Sequence, residues 1–430
     1  MGEGLLSGGI AGIAGIERLG ASLRMAGVAL SDIAARVGTP TFVYNAESIR
    51  ERYRLLEDGF HDVPHRIHYA VKANGNLAVL RVAAELGAGA DLVSGGELRR
   101  ALAAGFPPER LIFSGVGKTE DELRLAIETG IGHIAIESIG ELHLIASLAD
   151  RLDRRVRLGI RINPEVTTET HPYIATGERG IKFGVPVDLV PDAAAFILAH
   201  GRLELTTVAM HLGSQLTDTE PYLHGLRHLL ELVEALEAQG TTTITAVDIG
   251  GGLGVDYGGG RAMDVASFTT AVSRLMAGSH LLLYLEPGRF LVGNAGVLLT
   301  RVLYTKHAGG KEFVIVDAGF NDFLRPSLYQ AHHALVPVVA AGRDERVVDV
   351  VGPICETGDF FALDRSLPEV EPGELVAVLG GGAYGFVMSS NYNTRPRAAE
   401  VLVDGGRFGV ARPREREEDL FATENPTPLE

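Results

Sequence analysis

The residues with the clearest capacity for chemistry sit in Tyr69-Ala70-Val71-Lys72-Ala73-Asn74. Arg66 to Val71 reads as a short buried strand, and Leu77 to Leu86 carries the apolar spacing of a helix. Lys72 therefore falls at the carboxyl end of a strand, at the mouth of a strand-to-helix loop. Burial of an ammonium there lowers its proton affinity and leaves an amine nucleophile, able to form a Schiff base with an aldehyde cofactor. A lone strand-end lysine more often simply reaches solvent. The assignment therefore depends on the rest of the chain.

Further clusters also end strands. In Asp248-Ile249-Gly250-Gly251-Gly252-Leu253-Gly254, consecutive glycines let backbone N–H groups approach a phosphate. A Gly-rich run by itself reads equally well as a plain turn, and the spacing is wrong for a dinucleotide fingerprint. Leu285-Glu286-Pro287-Gly288-Arg289 places a carboxylate that, once buried, needs a cation. Arg289 could supply it, and so could a protonated pyridine nitrogen. In Met210-His211-Leu212-Gly213-Ser214-Gln215, His211 could stack on a flat ring and Ser214 could bind a phosphate. Later polar islands are Gly352 to Asp359 with Cys355 and Glu356, Gly382 to Gly385 with Tyr384, and Asp317 to Phe320 followed by Arg325 and Tyr329.

The elements that must position these residues alternate. Candidate strands are 66–71, 90–93, 111–113, 133–136, 156–161, 206–210, 244–249 and 282–285. Helical stretches lie near 77–87, 96–105, 119–129, 139–151, 188–200, 221–239 and 264–277. Eight such strands favour a closed (β/α)8 barrel over an open doubly wound sheet. A barrel gathers chemistry at the carboxyl ends of its strands, where Lys72, Ser94, Ser114, Glu137, Arg161, Asn163, His211, Gly250 to Gly252 and Glu286 fall. After about residue 295 the pattern becomes short β runs: 297–303, 313–316, 347–351, 375–379 and 399–403. The expected organisation is a poorly ordered tail over 1–30, a segment over 31–45 whose strand pairs with the β domain, a barrel over 46–295, and a β-sandwich or β-barrel domain over 296–430. Residues 412–430 are expected to fray.

Composition bounds the remaining possibilities. A net charge of −16 argues against nucleic acid as a partner. No apolar run is long enough to span a bilayer, and the first 15 residues lack the basic start of a secretory signal. One cysteine, Cys355, rules out an internal disulfide framework, fits a reducing, cytoplasmic compartment, and leaves no zinc-type spacing, so no metal is expected.

The motifs taken in order are YAVKAN (69–74), DLVSGGEL (91–98), HPYIATG (171–177), KFG (182–184), HLGSQ (211–215), DIGGGLG (248–254), EPGRFLV (286–292), DAGFND (317–322), RPSLY (325–329), GPICETGD (352–359) and GAYG (382–385). From about Thr39 to Val403 the chain resembles the fold-type III pyridoxal-phosphate decarboxylases, and within them the diaminopimelate decarboxylase family. The resemblance implies a TIM-like barrel binding pyridoxal 5'-phosphate and a C-terminal β domain. It implies that Lys72 carries the cofactor and that His211 packs on its ring. Ser214, Gly251, Gly252, Pro287, Gly288, Arg289 and Tyr384 hold the phosphate and ring, and Glu286 faces the pyridine nitrogen. Cys355 is implied as proton donor, with Arg289, Arg325, Tyr329, Glu356 and Tyr384 binding substrate. It also implies a homodimer in which Cys355 and Glu356 reach into the partner's barrel.

By the same resemblance the reaction is decarboxylation of meso-2,6-diaminopimelate to L-lysine, the last step of lysine biosynthesis. Glu286 keeps the ring nitrogen protonated, which deepens the electron sink and favours decarboxylation; related racemases place an arginine there. Arg325 argues for a distal carboxylate, because facing it with a cationic tail leaves a buried charge unpaired, at about 3–5 kcal/mol. The alternative is a decarboxylase of another amino acid in a secondary pathway. Residues 165–180 are the candidate loop over substrate.

Overall fold

The computed structural model describes residues 15–163, 182–258 and 260–426. HPYIATG (171–177) and the candidate loop over substrate (165–180) lie outside the described residues. The chain divides into two compact units. One comprises Arg50–Val255 and Arg261–Leu291, and the other comprises residues up to Ile49, Asp256–Gly260 and residues from Val292 onward.

The chain begins with three short antiparallel strands, β1 (Ile16–Leu19), β2 (Ser22–Met25) and β3 (Val28–Ala29), then helix α1 (Leu30–Val37) and strand β4 (Thr41–Asn45). Residues 16–29 were expected to lie in a poorly ordered tail, and the structure corrects this. Leu23 and Met25 are fully buried in a core with Leu30, Ile33, Val43 and Val297. The small residues of this stretch form its turns. Gly20-Ala21 joins β1 to β2, and Ala26-Gly27 joins β2 to β3 with φ of 45° and 80°, the left-handed pair a tight hairpin requires.

The first unit is a closed barrel of parallel strands: β5 (His65–Ala70), β6 (Gly89–Leu92), β7 (Leu111–Phe113), β8 (His133–Ile136), β9 (Val156–Ile162), β10 (Leu203–Met210), β11 (Ala246–Asp248) and β12 (Leu282–Leu285). Closure is made by β12 against β5, with Tyr284 opposite Arg66. α2 (Ala46–Gly59), which the sequence reading did not include, leads into β5, and between the strands run α3 (Leu77–Glu85), α4 (Gly95–Ala104), α5 (Glu120–Thr129), α6 (Ile139–Leu152), α7 (Val190–Ala199), α8 (Glu220–Ala238) and α9 (Val265–Met276). Side-chain caps fix where several begin. Ser94, Ser138 and Asp264 each accept from the backbone N–H three residues on, and Thr119 with Glu122 forms a reciprocal capping box. Each helix buries an apolar stripe, such as Leu123, Ala126 and Ile127 on α5, at roughly 1.5–3 kcal/mol per large side chain. The caps after β6 and β8 therefore anchor loops at the barrel mouth, where the expected chemistry lies.

The second unit continues through α10 (Arg289–Val292), β13 (Gly296–Ala308), β14 (Lys311–Val316), α11 (Arg325–Tyr329), β15 (Leu335–Pro337), β16 (Glu345–Val351), β17 (Phe360–Pro368), β18 (Leu375–Leu379), β19 (Ala399–Asp404), β20 (Arg407–Arg412) and α12 (Glu417–Phe421). Its sheet is mixed and runs β17-β16-β14-β13-β4-β19-β20, with β18 also paired to β13 and β15. β4 pairs antiparallel with β13 and parallel with β19. The segment from Arg412 onward, expected to fray, is tied to the rest of its unit as far as Glu415. Arg414 donates to the carbonyl of Pro40 at 2.7 Å and Arg397 pairs with Glu415 at 2.5 Å, while the exposed Arg416–Asp419 pair lies within the segment itself.

Candidate functional site

Within the barrel, a cavity of about 180 Å³ opens at the carboxyl ends of the strands; its wall includes Lys72, Ser114, Arg161, Met210, His211, Asp248 and Glu286. Lys72 sits in the 3-10 turn Val71–Ala73 that follows β5. Its Nζ is 2.6 Å from Oδ2 of Asp91, a fully shielded carboxylate on β6. Sequence reading did not single out Asp91. The signal was a charged residue inside a strand that is otherwise buried throughout.

Three carboxylates, Asp91, Asp248 and Glu286, lie near one another by their mutual electrostatic effects. Asp248 Oδ1 accepts from the Gly250 N–H at 2.7 Å, while Asp248 Oδ2 and Asp91 Oδ1 find no hydrogen-bond partner. Burial pushes the Asp248 carboxyl up to about 7 against the pull of that N–H. Glu286 opens onto the cavity but lies deep in protein. Desolvation first, then the charges of Asp248 and Asp91, raise it well above the ordinary carboxylate range. Acids held in this way call for a cation.

Arg161 is partly committed elsewhere. It pairs with Glu137 at 2.8 Å and lies over the Phe183 ring. Glu137 also accepts from the Gly184 N–H at 2.8 Å, so the KFG stretch is held to the end of β8.

His211 follows β10 and keeps some surface toward the cavity. Burial, then Arg161 and Lys72, depress its pKa well below the usual imidazole value. Its Nδ1 accepts from the Gly251 N–H at 3.1 Å, which places the proton of the neutral ring on Nε2.

The glycines of DIGGGLG are required by close packing. A Cβ at Gly251 would lie 2.1 Å from the carbonyl oxygen of Glu286, and one at Gly252 would lie 2.2 Å from that of Gly213. This refines the expectation of an anion nest. The amides of Gly250 and Gly251 are already engaged by Asp248 and His211, so the loop offers the Gly252 N–H. Arg289, nearly fully buried, donates from Nη2 to Ser214 Oγ at 2.9 Å. Ser214, Gly252 and Arg289 thus bring donors and a positive charge to one side of the barrel mouth, as a phosphate requires. Pro287 and Gly288 brace the lysine turn: the Pro287 carbonyl accepts from the Ala70 N–H at 3.3 Å, and a Cβ on Gly288 would lie 2.9 Å from Cβ of Ala73.

In the other unit, Arg325 is buried on α11 and its Nε donates to His333 Nε2 at 3.2 Å. His333 can accept because its Nδ1 bonds the Leu379 carbonyl at 2.8 Å, which fixes the neutral tautomer. The guanidinium also lies over the rings of Tyr257 and Tyr329, at 5.1 and 5.9 Å. His333 and Tyr257 went unread in the sequence, lying just beyond the ends of RPSLY and DIGGGLG. Cys355 and Glu356 are exposed on one loop, where the Tyr392 hydroxyl donates to Glu356 at 2.5 Å. That loop is clamped by buried Asp359, which accepts from the N–H groups of Phe320 and Ile354 at 2.6 Å each. Tyr384 adopts φ of 55°, a left-handed conformation that strains a residue with a side chain and marks the GAYG turn as a special site. Among the described residues no group of three or more His, Cys, Asp or Glu side chains could hold a metal ion, and no helix is long and apolar enough to cross a membrane.

An aldehyde cofactor bearing a phosphate and a pyridine ring fits the barrel. Lys72 offers an amine to the aldehyde, the Ser214–Gly252–Arg289 group suits the phosphate, and Glu286 and Asp248 suit a cationic ring nitrogen. Residues 46–293 match the pyridoxal-dependent decarboxylase pyridoxal-binding domain. Diaminopimelate decarboxylase of Pseudomonas aeruginosa is 48% identical over 95% of this chain and 98% of its own length. The crystal structure of diaminopimelate decarboxylase from Helicobacter pylori complexed with L-lysine superposes with a TM-score of 0.88 at 39% identity, covering 91% of this chain and 98% of that one. The enzyme of M. jannaschii in co-complex with L-lysine gives a TM-score of 0.91 at 34% identity over 97% and 99% of the two chains. The motifs, the barrel and these likenesses agree: the chain belongs to the diaminopimelate decarboxylase family of pyridoxal-dependent decarboxylases.

Proposed function

We propose that this protein removes one carboxylate of meso-2,6-diaminopimelate as carbon dioxide and yields L-lysine. The observation that carries this reading is the convergence of the Lys72 amine and the deep carboxylate of Glu286 on one barrel cavity. Bound pyridoxal phosphate supplies an aldehyde carbon for amines and an electron-withdrawing ring that accepts the electron pair left by carbon dioxide. Lys72 holds and releases that carbon, oriented by Asp91. Glu286, supported by Asp248, holds a proton at the ring nitrogen. His211, neutral and fixed by the Gly251 N–H, packs as a flat, uncharged surface. Ser214, Gly252 and Arg289 bind the phosphate, with Arg289 also facing a substrate carboxylate and Tyr384 completing the pocket. Cys355 gives the proton that replaces the lost carboxylate.

Specificity rests on Arg325 and Tyr329 for the distal carboxylate and on Glu356 for the distal amine. A buried guanidinium already stacked between tyrosines favours a planar carboxylate and disfavours an amine-ended tail. The working unit is proposed to be a homodimer with shared sites, in the cytoplasm; the exposure of Cys355 and Glu356 and the lack of a second cysteine support this. Carbon dioxide release is to be measured with meso-diaminopimelate, ornithine, arginine and glutamate. Preference for diaminopimelate is expected, and faster turnover of ornithine would reject the assignment.

A further inference from the structure

Arg325 is a buried positive charge, and what holds its guanidinium decides which part of it can meet a ligand. A guanidinium can clamp a carboxylate through the edge that carries Nε or through the end edge between its two Nη groups. In this structure Nε donates to Nε2 of His333 at 3.2 Å, so the Nε edge is taken. The guanidinium also lies over the rings of Tyr257 and Tyr329. A long side chain with many rotamers is thereby confined to one orientation, in which the end edge is the part suited to a carboxylate.

His333, between α11 and β15, is itself built in from several directions. Its side chain is fully buried, and its ring packs against Tyr257 and Phe323 with centroids 4.7 Å away in both cases. Its Nδ1 bonds the carbonyl of Leu379 at the end of β18, at 2.8 Å. Its own carbonyl accepts from Nη1 of Arg365 on β17 at 3.0 Å. Gly380 makes room for the pair of rings. It has φ of 71°, and a Cβ there would lie 2.5 Å from the Tyr257 ring and 3.4 Å from Nδ1 of His333.

The chemistry of this seat asks for an imidazole. With its proton on Nδ1, the ring donates to the Leu379 carbonyl and turns a lone pair to the arginine. An aliphatic side chain would leave both groups without this partner, and an imidazolium would set a second positive charge against the first. A carboxylate would hold Arg325 as well, but it would neutralise the guanidinium and compete with a substrate carboxylate. A neutral acceptor orients the arginine and does not cancel its charge.

We propose that His333 is a positioning residue for substrate. By accepting from Nε of Arg325 it presents the Nη1–Nη2 edge to the distal carboxylate, and so favours dicarboxylic amino acids over amine-tailed ones. This rests on the assignment of Arg325 to the distal carboxylate under the proposed function.

The test sets two replacements against each other in the cofactor-loaded full chain. His333→Gln keeps an acceptor and a donor. His333→Phe keeps a ring against Tyr257 and Phe323 and removes both. The phenylalanine variant is expected to raise KM for meso-diaminopimelate about 10–100-fold, the worth of a hydrogen bond to a charged group, with kcat within about threefold of the parent. The glutamine variant should recover most of that loss. In an Arg325→Ala background His333→Phe should add little, because a residue that acts through another loses its effect with it. If His333→Phe melts far below the parent, His333→Leu removes the same acceptor with a smaller side chain and carries the same expectations. A parental KM for the phenylalanine variant beside an impaired glutamine variant would show that the ring only packs, and overturns the inference. Losses that multiply in the double variant overturn it too. A parent that turns over ornithine faster than diaminopimelate rejects the proposed function and this inference with it. A parent that prefers diaminopimelate while the losses multiply rejects this inference alone.

Discussion

The Nζ of Lys72 and Oδ2 of Asp91 lie 2.6 Å apart, with the carboxylate wholly shielded and the lysine side chain one-third exposed. The amine is thus held from the barrel interior while its outer side faces the cavity. Asp91→Asn keeps the shape and removes the charge. It is expected to lower kcat about 10–100-fold, the worth of one charge-assisted hydrogen bond, while the melting temperature changes little. Steady-state kinetics with a parallel melt checks this, and an unchanged kcat would show that Asp91 does not orient the amine.

Lys72→Ala is expected to remove the visible absorbance of the cofactor-loaded protein and to abolish turnover. Lys72 ends a strand and contributes no core packing, so the circular dichroism of the barrel should persist. An absorbance spectrum like that of the parent protein would mean that another amine holds the aldehyde.

The carboxyl of Asp248 sits at about 7 in the fold against an ordinary 3.8. Between those values the folded state binds a proton that the unfolded state has lost. By linkage its contribution favours the fold at about pH 4 and is lost as pH rises through about 7. Compared with Asp248→Asn, the cofactor-free parent should therefore lose more melting temperature between pH 5 and 7. Pyridoxal phosphate should narrow the difference by bringing a cation to the pair. Parallel pH profiles of the two proteins would contradict the buried-acid assignment.

Arg325 links buried Tyr257 and His333 and the partly exposed Tyr329 in a single cluster. Arg325→Ala should lower kcat/KM for diaminopimelate more than a hundredfold, since a substrate carboxylate loses its paired charge, at about 3–5 kcal/mol. Cofactor affinity should stay within a few-fold. If cofactor loss accounts for the defect, Arg325 acts on something other than substrate.

How far the sequence could be read differs between the two units for physical reasons. All eight barrel strands and the helices between them were visible, because each strand is a short apolar run and each helix carries a period and a cap. Chemistry at the strand ends followed from that topology. Asp91 was missed because it was read only as part of the strand 90–93 and of DLVSGGEL, and nothing in the sequence says that its carboxylate meets Lys72, 19 positions away. β17 was missed because Phe360 to Pro368 mixes exposed charges with buried Phe361, Ala362 and Leu367, and Asp364 has a positive φ that breaks the alternation. His333 became meaningful only once Arg325 was found 3.2 Å away.

The amino-terminal strands give the sharpest contrast between composition and packing. The Gly-rich first 15 residues made residues 1–30 look like a loose tail, yet Leu23 and Met25 are completely buried against Leu30, Ile33 and Val43. A main-chain bond from the Leu23 N–H to the Val338 carbonyl, at 2.8 Å, adds a specific register. Removing residues 1–29 would delete the core side chains Ile16, Leu23, Met25 and Val28, of which the large, fully buried Leu23 and Met25 are each worth about 2–5 kcal/mol when truncated in place, out of a total stability of only about 5–15 kcal/mol. The deletion is expected to yield insoluble protein or a melting temperature lower by 10 °C or more. The double substitution Leu23→Ala with Met25→Ala, which keeps the strands, should reproduce most of the loss. A deleted protein that melts at the parent's temperature would mean that these strands only cover the unit and do not build it.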